Sequence, residues 1–170
     1  NRQATDFLGH HTQREALLAA MDLIASALGR DGTSLDEIDP RSEEARYCLG
    51  EYYAELARRF KQGFDVKLSR DPEAKDMVRP RGSFIVAMSD GLPLGCVGLK
   101  GGGREYAEIK RLWVAPAARG LGIGRRLMDA AEHAARELGI ALLRLDTNSA
   151  LAEAGQLYRR TGWTEIPRFN

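Results

Sequence analysis

Three alternating glycines punctuate Arg119-Gly120-Leu121-Gly122-Ile123-Gly124, a segment that follows an extended run and opens an amphipathic helical pattern. A strand that turns into a helix here exposes consecutive backbone N–H groups, because the first turn of a helix has no intrahelical acceptors for them. The helix macrodipole adds partial positive charge at the same point. Glycine lets the backbone approach a ligand without a Cβ clash. The segment is suited to a pyrophosphate, with Arg119 and Arg125 placed to add charge-assisted bonds to its oxygens. A tight turn that binds nothing would be served by glycine pairs alone.

The surrounding pattern gives this turn its setting. From Gly82 onward the sequence alternates like strands: Ser83 to Met88, a turn at Asp90-Gly91, Leu94 to Leu99, then Gly101-Gly102-Gly103 and a third run from Glu105 to Val114. Short connections predict an antiparallel meander. Pro116 ends the third strand. A helix then runs to about Leu138 with Ile123, Leu127, Ala130, Ala131, Ala134 and Leu138 on one face, and Gly139 closes it as an αL cap. A strand Ala141 to Asp146, a helix from about Ala150 to Arg160 and a short strand Trp163 to Ile166 complete the series. The fold class expected is α/β: a mixed central sheet, antiparallel in its first half with a parallel crossover in its second, and helices on its faces.

Ahead of the meander, Thr33 to Ile38 reads as a first strand, and Asp39-Pro40 with Ser42 announces a helix whose apolar positions are Ala45, Cys48, Leu49, Tyr52, Leu56 and Phe60. Lys61 to Arg81 reads as a long loop. Earlier still, about Thr12 to Leu28 carries one apolar helical stripe, broken by Gly29-Arg30-Asp31-Gly32. The expected organisation is an N-terminal helical extension and linker over 1–32 and one domain over 33–170. A chain that opens on Asn1 without an initiating methionine is expected to be a segment of a longer one.

The charges narrow the partners. Twenty-five basic and 24 acidic side chains leave a formal net charge of +1, so no global field draws the chain to nucleic acid or an anionic membrane. No direct nucleic-acid contact and no membrane span are expected. Cys48 and Cys96 read as buried reduced thiols of a cytoplasmic protein, and no metal-ligand spacing is present. His10, His11 and His133 read as structural or solvated.

Two phosphate-binding alternatives fail on particular residues. A dinucleotide fold would use Asp146 as its ribose acid, but its third glycine would fall at Arg125, and Glu108-Ile109-Lys110-Arg111-Leu112-Trp113-Val114 is too polar for a strand buried on both faces. A nucleoside-triphosphate loop would need Gly-Lys-Ser/Thr, which is absent.

The residues resemble the GNAT superfamily of N-acetyltransferases, whose coenzyme A motif Arg/Gln-x-x-Gly-x-Gly/Ala is met by Arg119, Gly122 and Gly124. The similarity extends from about Thr33 to Asn170, through Glu108 to Pro116 and on to Leu157-Tyr158-Arg159-Arg160-Thr161-Gly162-Trp163. It implies a GNAT-like sheet splayed between the fourth and fifth strands, with acetyl-CoA as co-substrate and its pantetheine arm in the cleft. Main-chain groups of Trp113 and Val114 would pair with the arm, and Asn148 would meet it with its side chain. Gly120, Leu121, Gly122, Ile123 and Gly124 would cradle the pyrophosphate. The family usually continues with a further strand after Ile166-Pro167, whereas this sequence runs to Asn170.

Acetyl transfer to a primary amine by direct attack needs a base, an oxyanion donor and an acid for the departing thiolate. Glu108 is the candidate base, corresponding to the family's frequent base position. Simple alternation with Lys110 and Leu112 places it on the face of Val114, whose N–H would meet the thioester oxygen. The other reading of Glu108 is a surface carboxylate paired with a cation. Tyr158 is the candidate acid, with packing as its alternative. Trp113 alternates to the other face and reads as core. Tyr52, Tyr53, Phe60 and Phe64 sit where the family shapes its acceptor pocket, although Tyr52 and Phe60 read more naturally as packing.

The acceptor expected from this resemblance is a small-molecule or protein amine. The segment 12–28 also resembles, over a short stretch, the closing helix of a winged-helix regulator of the multiple-antibiotic-resistance type. That implies a fused DNA-binding domain upstream and leaves an acyl-CoA sensor as the alternative to an enzyme. A plain helical extension that covers the sheet or forms a homodimer is the other reading.

Overall fold

The computed structural model describes residues 32–59, 75–101, 105–147 and 152–167. Among these residues five strands and three α-helices follow one another as β1 (Ser34–Glu37), α1 (Glu43–Arg59), β2 (Ser83–Ser89), β3 (Leu92–Gly101), β4 (Tyr106–Val114), α2 (Ile123–Glu137), β5 (Leu142–Leu145) and α3 (Ala152–Arg160). The expected helix over 12–28, most of the 61–81 loop, and Asn148 lie outside the described residues.

The sheet follows chain order, β1-β2-β3-β4-β5. The first three pairings are antiparallel and β4 pairs with β5 in parallel. Asp90 (φ 49°) and Gly91 (φ 77°) make the two-residue connection from β2 to β3, a turn whose positive φ values suit the twist of a hairpin.

Two cores flank the sheet. On one face α1 buries Ala45, Cys48 and Leu49 against Phe84, Val86, Cys96 and Trp113. The Ser42 hydroxyl accepts from the Ala45 N–H at 3.3 Å, which caps this helix. On the other face α2 buries Ile123, Leu127, Met128, Ala131, Ala134 and Ala135 against Ile85, Ala87, Val97, Leu99, Ala107 and Ile109. Ala130 and Leu138 sit at the margins of that stripe. Gly139, at φ 71°, ends α2 in the left-handed conformation expected of it, and Ile140 N–H closes back on the Ala135 carbonyl at 3.0 Å.

The parallel pairing runs only from Tyr106–Ile109 against Leu142–Leu145. Beyond it, Lys110 to Val114 pairs with β3 alone, so the sheet opens between its fourth and fifth strands.

Two expectations are corrected. Residues Trp163 to Ile166 form no strand. The Trp163 N–H bonds the Tyr158 carbonyl at 3.1 Å and its ring packs on Tyr158, so this run first completes the end of α3. Simple alternation along β4 also fails. Cys96 pairs with Trp113 but Gly98 pairs with Lys110, which leaves Val97 opposite both Arg111 and Leu112. Arg111 has φ 58°, and the extra residue of this β-bulge reverses the facing of the residues after it. Ala107 and Ile109 belong to the α2-side core, as do Leu112 and Val114. Glu108 is therefore on the opposite face from Val114.

Candidate functional site

A cleft of about 420 Å³ opens at the splay, within the ~300–1,000 Å³ of small-molecule sites. Leu112, Trp113 and Val114 supply one wall, and Arg119, Gly120 and residues 122–125 the floor. Tyr52, Glu55, Leu56 and Arg59 of α1 stand on one side, and Ala154, Leu157 and Arg160 of α3 on the other.

The floor is an uncapped helix start. Gly120 and Gly122 have φ 77° and 82°, and Gly122 is the N-cap of α2 with no side chain capping it. The first intrahelical bond comes from the Arg126 N–H to the Gly122 carbonyl at 3.1 Å. The N–H groups of Ile123, Gly124 and Arg125 precede it and lack intrahelical acceptors. A Cβ built on Gly120 or Gly122 would meet nothing within 4 Å. Left-handed backbone, bare N–H groups and open space together fit a pyrophosphate.

Antiparallel ladders alternate hydrogen-bonded and non-bonded pairs. The Ala115 N–H bonds the Leu94 carbonyl at 2.8 Å, which makes the adjacent Val114–Gly95 pair non-bonded. Val114 therefore directs its N–H and carbonyl away from β3 into the splay, whereas the main chain of Trp113 faces Cys96. The Trp113 ring is buried in the α1-side core, edge-on to Tyr47 at 6.3 Å.

Arg119 is half-buried and held at two points. Its Nε donates to the Val114 carbonyl at 3.0 Å and its Nη2 to Glu55 Oε2 at 2.6 Å. Arg125 is exposed, with Asp129 at 3.9 Å. Arg160 has no ion pair or hydrogen bond among the described residues.

Glu108 forms a 2.7 Å ion pair with Lys110 on the α1 face. Tyr158 packs against the α2-side core with its ring centroid 6.3 Å from that of Trp163. It lines a second groove along β5 rather than the cleft. Burial raises its phenol above the ordinary 10.0, with Tyr52 adding to the effect. Burial, then Tyr53, pushes the Tyr52 phenol up to about 12. Both are hydroxyl donors near neutral pH. Burial and the neighbouring Cys48 hold the Cys96 thiol well above its usual range, the reverse of what a nucleophilic thiolate requires. Among the described residues no cluster of three or more His, Cys, Asp or Glu could hold a metal ion, and no helix is long and apolar enough to cross a membrane.

Sequence reasoning leaves Glu55 and Arg59 unassigned and reads Tyr52 as packing. A signal is present: Glu55 falls beside the apolar stripe of α1 and is 9 % exposed, a burial that obliges an acid to find a cation. Arg119, 64 positions away, could not be identified from spacing.

The sequence matches the model of the acetyltransferase (GNAT) family over residues 49–163. The chain is 36 % identical over 97 residues to an IAA acetyltransferase of Azospirillum brasilense, covering 55 % of this chain and 61 % of that protein. It is 30 % identical over 118 residues to an aminoalkylphosphonate N-acetyltransferase of Salmonella typhimurium, covering 66 % and 77 %. The fold superposes on the crystal structure of an acetyltransferase from Streptococcus agalactiae with a TM-score of 0.69 at 20 % identity, over 81 % of this chain and 86 % of the other. With the glycine turn, the splayed sheet and a family match covering more than half its length, the chain belongs to the GNAT family of acetyltransferases.

Proposed function

We propose that this domain transfers the acetyl group of acetyl-CoA to a primary amine by direct attack within a ternary complex. The uncapped start of α2, opening directly beside the outward N–H of Val114, is the observation that carries this reading. The N–H groups of 123–125 would hold the pyrophosphate, with Gly120, Leu121 and Gly122 shaping the approach. The open edge of β4 at Val114 would take the pantetheine arm, next to Trp113, and Asn148 would reach it from beyond β5.

The amine nitrogen attacks the thioester carbon, the Val114 N–H stabilises the oxyanion, and the C–S bond breaks as the thiolate takes a proton. Tyr158, kept protonated by burial, is the proposed acid. Glu108 is the proposed base; paired with Lys110 and outside the lining of the cleft, it works through water rather than by contact with the amine. The raised Cys96 thiol supports attack without an acyl-enzyme. The activity of the Salmonella relative supports a small amine as acceptor.

The test is thiol release from acetyl-CoA across a panel of small amines and lysine peptides. Amine-dependent release is expected. Coenzyme binding with no amine-dependent release would overturn it in favour of a sensor.

A further inference from the structure

Resting on the coenzyme-binding reading above, we infer that Glu55 is a positioning residue: through Arg119 it locks the amine-side helix α1 to the coenzyme turn and to the end of β4. Glu55 itself touches neither reacting atom.

The geometry divides one carboxylate between two guanidinium groups. Glu55 Oε2 accepts from Arg119 Nη2 at 2.6 Å, and Oε1 pairs with Arg59 Nη2 at 2.6 Å. Arg119 then spends its Nε on the Val114 carbonyl at 3.0 Å. Three elements converge on this link: α1, the turn that starts α2, and the last residue of β4. Glu55 and Arg119 both line the cleft.

The orientation of Val114 explains why the link bears on catalysis. Its N–H and carbonyl point the same way, into the splay, because its pairing with Gly95 is of the non-bonded type. An arginine on the carbonyl, with the Ala115 N–H of the same peptide held by the Leu94 carbonyl, fixes the 114–115 peptide and so restricts rotation about the Val114 Cα that carries the N–H on its other side. A guanidinium with two fixed acceptors is itself oriented by its fork geometry. Removing the carboxylate leaves Arg119 one anchor, the Val114 carbonyl, in a cleft where an arriving pyrophosphate competes for it.

The link also joins the two substrates. Tyr52 and Arg59 lie one turn before and after Glu55 on α1 and line the same cleft. Any shift of the coenzyme turn would therefore reach the wall that faces the acceptor.

A double-mutant cycle tests this with Glu55→Gln, Arg119→Gln and the pair, reading coenzyme A affinity by calorimetry, kcat and KM for acetyl-CoA, and thermal unfolding. Each single change is expected to lower kcat/KM about tenfold, the scale of one lost charge-assisted bond. The double variant should lose about tenfold as well, where independent residues would multiply to about a hundredfold. Glu55→Asp, which keeps the charge, should recover part of the loss. If Glu55→Gln does not fold, the cycle is run with Glu55→Asp, which decides between the same two outcomes.

Multiplying losses, or kinetics and coenzyme affinity equal to wild type with only the melting temperature lowered, would overturn the inference. Failure of the wild-type protein to bind coenzyme A would instead refute the underlying functional reading.

Discussion

Gly124 lies so close to Leu157 that a Cβ built on it would stand 3.3 Å from Leu157 Cδ2 and 3.7 Å from Val114 Cγ2. Packing between α2, α3 and β4 thus limits the size of the side chain at this third glycine of the turn, whereas Gly120 and Gly122 are required by their left-handed backbone. Gly124→Ala should be nearly neutral, since a helix gains about 1 kcal/mol from that change and Leu157 has only a few tenths of an ångström to yield. Gly124→Val should cost about 1–3 kcal/mol by overpacking and narrow the cleft. Thermal unfolding and coenzyme titration of the two variants check this, and a valine variant with wild-type values would contradict it.

Gly122→Ala addresses the other role. At φ 82° a side chain strains the backbone by roughly 1–2 kcal/mol, and relief of that strain would turn the N–H groups of 123–125 away from the cleft. Coenzyme A affinity should fall about tenfold while the core of the domain stays folded. Circular dichroism beside calorimetry separates the two effects.

The proposed acid and base make distinguishable kinetic predictions. Tyr158→Phe should lower kcat without weakening coenzyme binding, because the phenyl ring retains its packing on Trp163. Glu108→Gln should lower kcat by about a hundredfold near neutral pH. That loss should shrink as the pH approaches the amine's own pKa of about 10, where the free base forms unaided. Steady-state pH profiles of the two variants decide it; an unchanged kcat in both would reassign the proton transfers to water.

The tyrosines also set an alkaline limit to stability. The Tyr52 pKa is raised from 10.0 to about 12 in the folded chain, so between these values the unfolded state has lost a proton that the folded state keeps. Stability from this group is therefore intact below pH 10.0 and declines as pH rises towards about 12. Tyr158, shifted in the same direction, adds to the decline. Tyr52→Phe should flatten the fall of melting temperature with pH across that window, and an unchanged slope would count against it.

Much of this architecture is legible in the sequence because local signals agree with the global fold. Asp90-Gly91 marks the hairpin, Gly139 the end of α2, and Ser42 the start of α1, each through a short-range requirement of the backbone. The glycine turn can be placed at a helix start for the same reason. The features that escape such reading depend on one extra residue or on distant pairing. The bulge at Arg111 reverses the facing of β4 without any glycine to announce it, so simple alternation puts Glu108 and Val114 on one face. Trp163 to Ile166 has the composition of a strand, but a strand also needs a neighbour, and its first N–H is taken by α3. Glu55 displays an acid beside a buried stripe, yet only the folded chain shows that its cation comes from the turn.

Whether the start of α2 holds the coenzyme's pyrophosphate is decided by calorimetric titration of the wild-type domain with coenzyme A and with pantetheine, which has the arm but no phosphates. Charge-assisted bonds to several bare N–H groups should make coenzyme A bind at least about a hundredfold more tightly, with the difference narrowing as salt is raised. Equal affinities for the two ligands would contradict a pyrophosphate site at this turn.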